Sequence, residues 1–222
     1  MSHEKNIVKK PWGYEYLAYE NDKVAIWLLY IKHNESTSMH CHPNKTTGLA
    51  CLGGKGIVSF LNNSFPLDAA NKLMIRKGLF HSTKSVVPNG CHILEIETPV
   101  NKTDLVRFKD SYGREGKPYE DATFEYPKVD ECVWIESPST ADPNIYSVGE
   151  CLLKVYRVEN TSFFENLENK NIIFLKGGIM TEYGINVASP GDIVHSDTLK
   201  ELINVFNKID DNTLVMIMEK NA

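Results

Sequence analysis

Apolar positions in this chain fall in short runs rather than in helical stripes. "KVAIWLLYIK" (23–32), "TGLACLGG" (47–54), "GIVSFL" (56–61), "NKLMIRKG" (71–78) and "CHILEIET" (91–98) are rich in β-branched and large apolar residues. So are "LLKVYRV" (152–158), "NIIFL" (171–175), "INVAS" (185–189) and "TLVMIME" (213–219). Clusters of Gly, Asn, Asp and Pro separate them, as turns separate strands. Many short strands at regular spacing predict an antiparallel sandwich or barrel. Helical spacing is best in "DTLKELINVFNK" (197–208), where Leu199, Leu202, Ile203 and Phe206 share a face behind Asp197, a candidate cap.

The pattern also repeats weakly. "LGGKGIVSF…NKLMIRKGLFHST" (52–83) resembles "LKGGIMTEYGINVASPGDIVHSD" (175–197): a Gly pair, a hairpin, a strand, a Gly-containing turn, then His-Ser. The polar stretch "GREGKPYEDATFEYPKVD" (113–130) reads as a connector.

Composition narrows the classes. The 222 residues, 42% of them hydrophobic, suffice for a real core. With 24 basic and 29 acidic residues the net charge is −5, which argues against nucleic acid or an anionic membrane as the main partner. No apolar run reaches the roughly 18 residues of a membrane span. "MSHEKNIVKKPWG" lacks the apolar centre of a signal peptide. Five scattered cysteines with no CxxC pair read as reduced thiols, so the expected location is cytoplasmic.

Chemistry enters at "SMHCHPNKTTG". On a strand His40 and His42 share one face, and Met39 and Cys41 point the other way. Imidazoles suit zinc, iron, copper, nickel or manganese, and two leave a site incomplete. His81, in "RKGLFHST", supplies a third if its strand lies opposite. Glu95 and Glu97 share a face of "CHILEIET" and need either solvent or a cation. Arg107, in "DLVRFKD", offers a planar fork for an anion, or else pairs with Asp104 or Asp110. His195 in the second copy has no HxH companion and reads as structural. No nucleophile triad is legible, and "GGKG" (53–56) reads as a turn.

"HCH", the Gly53-Gly54 turn and "RKGLFHST" together resemble the two motifs of the cupins. "KKPWGYEYL" (9–17) and "DLVRFKDSYGR" (104–114) resemble the opening and closing motifs of the cupin-type phosphomannose isomerases. The resemblance spans about residues 9–114. It implies an all-β, double-stranded β-helix (cupin jelly roll), here a bicupin with a metal-binding barrel over 1–122 and a degenerate second barrel over 123–222. It implies His40, His42 and His81 as metal ligands, with zinc foremost and iron, manganese or nickel as other choices.

Two departures stand out: Arg76 replaces the family's proline, and Thr47 replaces its glutamate ligand. Either three histidines leave open positions, or Glu95 or Glu97 supplies the fourth ligand. Glu97 and Lys45 are the candidate catalytic bases, and Arg107, Arg114, Tyr112 and Glu95 the candidate substrate-binding residues. The implied function is a metal-dependent, mannose-6-phosphate isomerase-like enzyme, an isomerase or epimerase of a small sugar or sugar phosphate. It would serve nucleotide-sugar or surface-polysaccharide metabolism, as a homodimer. The alternatives are a three-histidine Fe(II) dioxygenase and a non-catalytic sugar-binding cupin.

Overall fold

In the central strands both faces are buried. In the computed structural model, which describes residues 6–101, 103–115 and 127–221, strands account for nearly all regular structure. The first set comprises β1 (Ile7–Lys10), β2 (Gly13–Glu20), β3 (Ala25–Ile31), β4 (Met39–Cys41), β5 (Thr46–Gly53) and β6 (Lys55–Phe60). It continues with β7 (Ser64–Asp68), β8 (Lys72–Ile75), β9 (His81–Ser85), β10 (Cys91–Thr98) and β11 (Val106–Lys109). The second set comprises β12 (Asn144–Val148), β13 (Cys151–Val158), β14 (Asn171–Lys176), β15 (Ile179–Met180) and β16 (Asn186–Ala188). After β17 (Ile193–His195) come helix α1 (Ser196–Val205), β18 (Lys208–Ile209) and β19 (Thr213–Lys220).

All pairings are antiparallel, in four sheets ordered β1-β2-β3-β10-β5-β8, β11-β4-β9-β6-β7, β12-β13-β19-β14-β17 and β16-β15-β18. The orders repeat. Strands β2-β3-β10-β5-β8 correspond to β12-β13-β19-β14-β17, and β9-β6-β7 to β18-β15-β16. Each half is a double-stranded β-helix in strand order, and β4 and β11 have no counterpart in the second among the described residues. The repeat therefore aligns differently from its sequence likeness. His81 opens β9, whose counterpart is β18, whereas His195 ends β17, the counterpart of β8. The boundary expected at 122/123 lies outside the described residues.

Three cores fill the spaces between four layers. Leu49, Cys51, Val58 and Ile93 pack inside the first barrel. Leu28, Leu52, Leu94 and Ile96 face the other way, onto Leu153, Ile173, Met216 and Met218. Phe164, Phe174, Leu199 and Ile217 pack inside the second barrel. Burial of such side chains contributes about 1.5–3 kcal/mol each. It explains why the six-stranded sheet reads as nearly continuous apolar runs.

Two local features differ from expectation. The helix starts at Ser196, and its cap is His195, whose Nδ1 accepts from the Asp197 amide at 3.3 Å, so Asp197 lies in the first turn. Strands β4, "MHC", and β9, "HSTKS", are too short or too polar to stand out by periodicity. Gly13 is obligatory: its φ is 152°, and a Cβ there would lie 1.9 Å from the Tyr30 carbonyl oxygen.

Candidate metal centre

Strand β4 is three residues long and is held on both sides. His40 sits opposite His81 across the β4/β9 ladder and opposite Arg107 across β4/β11. The Gly78 amide donates to the His42 carbonyl at 2.8 Å, which brings the loop before His81 against the same strand. The three imidazoles converge, with ring centroids 4.5 Å apart for His40–His81, 5.0 Å for His40–His42 and 5.7 Å for His42–His81.

Backbone carbonyls set their tautomers. Nδ1 of His40 lies 2.8 Å from the Ser38 carbonyl, Nδ1 of His42 2.6 Å from that of Asp104, and Nδ1 of His81 3.0 Å from that of Leu79. A carbonyl only accepts, so each Nδ1 carries the proton and each Nε2 presents a lone pair. Nε2 of His42 and of His81 are buried and have no hydrogen-bond partner among the described residues. Asp104 does a second job: its carboxylate accepts from the amides of Asn44 (2.8 Å) and Lys45 (3.1 Å) and from the Asn44 side chain (2.8 Å). It thereby fixes the turn that follows His42.

The fourth group comes from β10. One ligand atom each from His40, His42, His81 and Glu95 lie within 4.8 Å of one another. Donors bonded at about 2.1 Å to one ion lie at most about 4.2 Å apart, so a small closure suffices. Donor chemistry, orphaned Nε2 atoms and carbonyl-fixed Nδ1 protons all fit a divalent cation. Glu95, expected among the substrate-binding residues, thus sits with the histidines. Thr47 does not join them; it lies directly across the ladder from Glu97, with its hydroxyl buried and unpartnered among the described residues. The carboxylate of the cluster comes from the neighbouring strand, not from position 47.

Glu97 shares the inner face, 3.7 Å from His42 Nε2, and is bonded by the Lys45 ammonium at 2.5 Å. The face of β10 that sequence left open is therefore the inner one, because Leu94 and Ile96 are claimed by the core between the barrels.

Electrostatics follow from this crowding. Burial pushes the His40 pKa well below the usual histidine value, and His81 and His42 push the same way. Burial also lowers His81. At His42 burial acts downward, yet the Glu95 carboxylate more than offsets it and the net shift is upward. Burial alone would raise Glu95, but His42 and the other imidazoles hold it below the usual carboxylate range. Burial, then the charge of Glu95, raises Glu97. The field that draws a proton to His42 is the field a metal cation would satisfy.

A pocket opens beside the cluster. Lys45, Glu95, Glu97, Arg107 and Arg114 line it. Arg114 is clamped by Asp110 through two bonds of 2.9 and 2.6 Å. Tyr112 does not line the pocket; its hydroxyl donates to Glu35 and its ring lies 5.1 Å from the Arg114 guanidinium carbon.

Sequence reasoning missed Glu15, whose carboxylate lies 3.5 Å from the Lys10 ammonium, both of them lining the pocket. The clue was available, since Glu15 interrupts the apolar alternation of β2. Asp104 appeared in sequence only as a possible partner for Arg107.

No protein-family model matches the chain, and no curated protein matches it. Solved structures do. An uncharacterized conserved protein with a double-stranded β-helix domain from Klebsiella pneumoniae aligns over 42% of this chain and 77% of its own, at 13% identity and a TM-score of 0.39. KdgF from Halomonas sp. aligns over 41% and 84%, at 11% identity and a TM-score of 0.39. A sugar phosphate isomerase from a cupin superfamily of Silicibacter pomeroyi aligns over 39% and 57%, at 11% identity and a TM-score of 0.36. These are partial likenesses, and the weight rests on the chain's own strand order. By that order the chain has the double-stranded β-helix fold of the cupins.

Proposed function

We propose that this chain is a metal-dependent isomerase or epimerase of a small sugar or sugar phosphate. The supporting observation is the meeting, in one pocket, of the His40–His42–His81–Glu95 cluster with the Glu97–Lys45 pair. A divalent ion held there, zinc foremost, would polarise a substrate carbonyl or hydroxyl as a Lewis acid. Glu97, with its raised pKa, is suited to take the proton α to a carbonyl and return it to the neighbouring carbon or the opposite face. Lys45 holds that carboxylate in position. Arg107, beside His40, offers its guanidinium to an anionic substrate group.

In this reading residues 1–122 form the working barrel and 123–222 a degenerate one. The Fe(II) dioxygenase alternative was framed on three histidines without a carboxylate; with Glu95 in the cluster the donor set still suits iron, and oxygen consumption by the iron-loaded protein separates that reading from the isomerase. The test is elemental analysis of the purified protein, followed by NMR of mannose 6-phosphate and fructose 6-phosphate in D2O. Interconversion with deuterium uptake at C2, lost on chelation and restored by metal, is the expected result. Equal turnover by metal-free protein overturns the proposal, and binding without turnover assigns a sugar-holding role instead.

A further inference from the structure

The two barrels align residue by residue along one ladder. In β5/β10, Thr47 opposes Glu97, Leu49 opposes Glu95 and Cys51 opposes Ile93, and the register slips between Ile93 and His92. In β14/β19, Ile172 opposes Ile217 and Phe174 opposes Val215, and a slip follows at the same place. Superposing the slips matches Ile93 with Val215, Glu95 with Ile217 and Glu97 with Glu219, and on the facing strands it matches Thr47 with Lys170. The second barrel thus keeps one of the two carboxylates. There the cross-ladder neighbour holds it: the Lys170 ammonium bonds Glu219, as does that of Lys154 at 2.5 Å.

In the first barrel the ammonium on Glu97 comes instead from Lys45, two residues before the cross-ladder position. Thr47 occupies that position, is only 1% exposed, and has a buried hydroxyl with no hydrogen-bond partner among the described residues. Ile75 opposes it on the β8 side, so Glu97 is the polar side chain directly across from it. Directly opposed residues have Cβ atoms about 4.5–5.5 Å apart, which a threonine hydroxyl and a glutamate carboxylate can bridge by side-chain rotation alone. Leaving a buried hydroxyl unpaired is costly, which favours that rotation. Lys45 also lines the pocket, where an ammonium can donate to a substrate hydroxyl. We infer that Thr47 is a positioning residue of the acid–base pair: its hydroxyl is a second seat for the Glu97 carboxylate, taken when Lys45 turns to the substrate. An ammonium only donates, whereas a hydroxyl donates to a carboxylate and accepts from a carboxylic acid. Thr47 therefore holds Glu97 in place both before and after it has taken the substrate's proton. This rests on the sugar-isomerase reading and deepens it.

Thr47→Val, which keeps the shape and removes the hydroxyl, tests the inference beside Thr47→Ser, which keeps the hydroxyl. Both are compared with the parent protein, metal-loaded, in the assay with mannose 6-phosphate and fructose 6-phosphate. The expected result is a kcat about tenfold lower in Thr47→Val, with KM and bound metal unchanged, and largely restored in Thr47→Ser. A merely structural role would lower bound metal along with kcat, and that result overturns the inference. Denaturant titration adds a reading that needs no turnover: Thr47→Val should be less stable than the parent, because the hydroxyl loses a bond it makes to Glu97. A Thr47→Val protein that turns over like the parent, or that gains stability, overturns the inference and leaves the isomerase reading standing. A parent protein that turns over neither sugar phosphate overturns that reading and the inference with it. If the valine variant does not fold, Thr47→Ala takes its place in the same comparison.

Discussion

In the first barrel the central strand β10 turns Glu95 and Glu97 inward toward three histidines. In the second barrel its counterpart β19 turns Val215 and Ile217 inward, toward a core that includes Phe164, Phe174 and Leu199. The frames share a strand order, yet among the described residues the cluster of histidines and carboxylates lies in the first interior. The difference lies in what occupies one side of each barrel. The first has β4 and β11, which bring His40, His42 and Arg107. In the second, the short 3₁₀ turn Thr161–Phe164 and helix α1 supply Phe164 and Leu199 to the core. A buried polar cluster is tolerable only when its lone pairs and charges find partners, and an apolar fill removes that requirement. One barrel is thus built to hold something and the other to be full.

The sharpest way to break this contrast is His81→Ala. It should abolish both bound metal and turnover, measured by elemental analysis and assay, whereas Phe164→Ala should leave the metal content of the folded protein unchanged. If both variants lose metal equally, the division of labour is wrong. Phe164→Ala should instead cost about 3–5 kcal/mol of stability in denaturant titration. A cost near zero would mean that the second interior is loosely filled.

Next in size is Asp104→Ala, which frees the Asn44 and Lys45 amides and loosens the carbonyl that orients His42. Chelator competition should show metal affinity weaker by about 10- to 100-fold, with the fold intact by circular dichroism. Unchanged affinity would show that His42 is positioned without it.

The smallest effect concerns acid. Burial would raise Asp110, but the bonds and charge of Arg114 outweigh it and the folded-state pKa is lowered. A depressed pKa contributes stability that is complete above the unfolded value of about 3.9 and is lost as pH falls through the folded one. Asp110→Asn should therefore flatten the acid limb of a stability–pH profile while leaving metal content near neutral pH unchanged. A profile identical to that of the unmodified protein would show that the Arg114 clamp adds no acid-dependent stability.

Much of this architecture was legible beforehand, and the gaps have physical causes. The apolar runs mark the central strands because both faces of the six-stranded sheet are covered. The same double burial hid which phase of β10 faced the site: Leu94 and Ile96 read as core, but nothing local says that Glu95 and Glu97 face a second interior rather than water. His81 was recoverable because Gly78 to His81 forms a motif. Asp104 was not, because its contact with His42 runs through a backbone carbonyl that every residue possesses. His195 fell opposite His81 in the sequence repeat because the inserted helix α1 displaces the true counterpart, β18.

Strand β10 belongs to two interiors at once, with Leu94 and Ile96 in the core between the barrels and Glu95 and Glu97 in the pocket. No local opening can release one face and keep the other. Its amide protons should accordingly exchange with solvent only through global unfolding, together with those of Met216 and Met218, which pack in the same core on the second barrel's side. A cation that ties Glu95 to the histidines would slow exchange in a part of the chain it never touches.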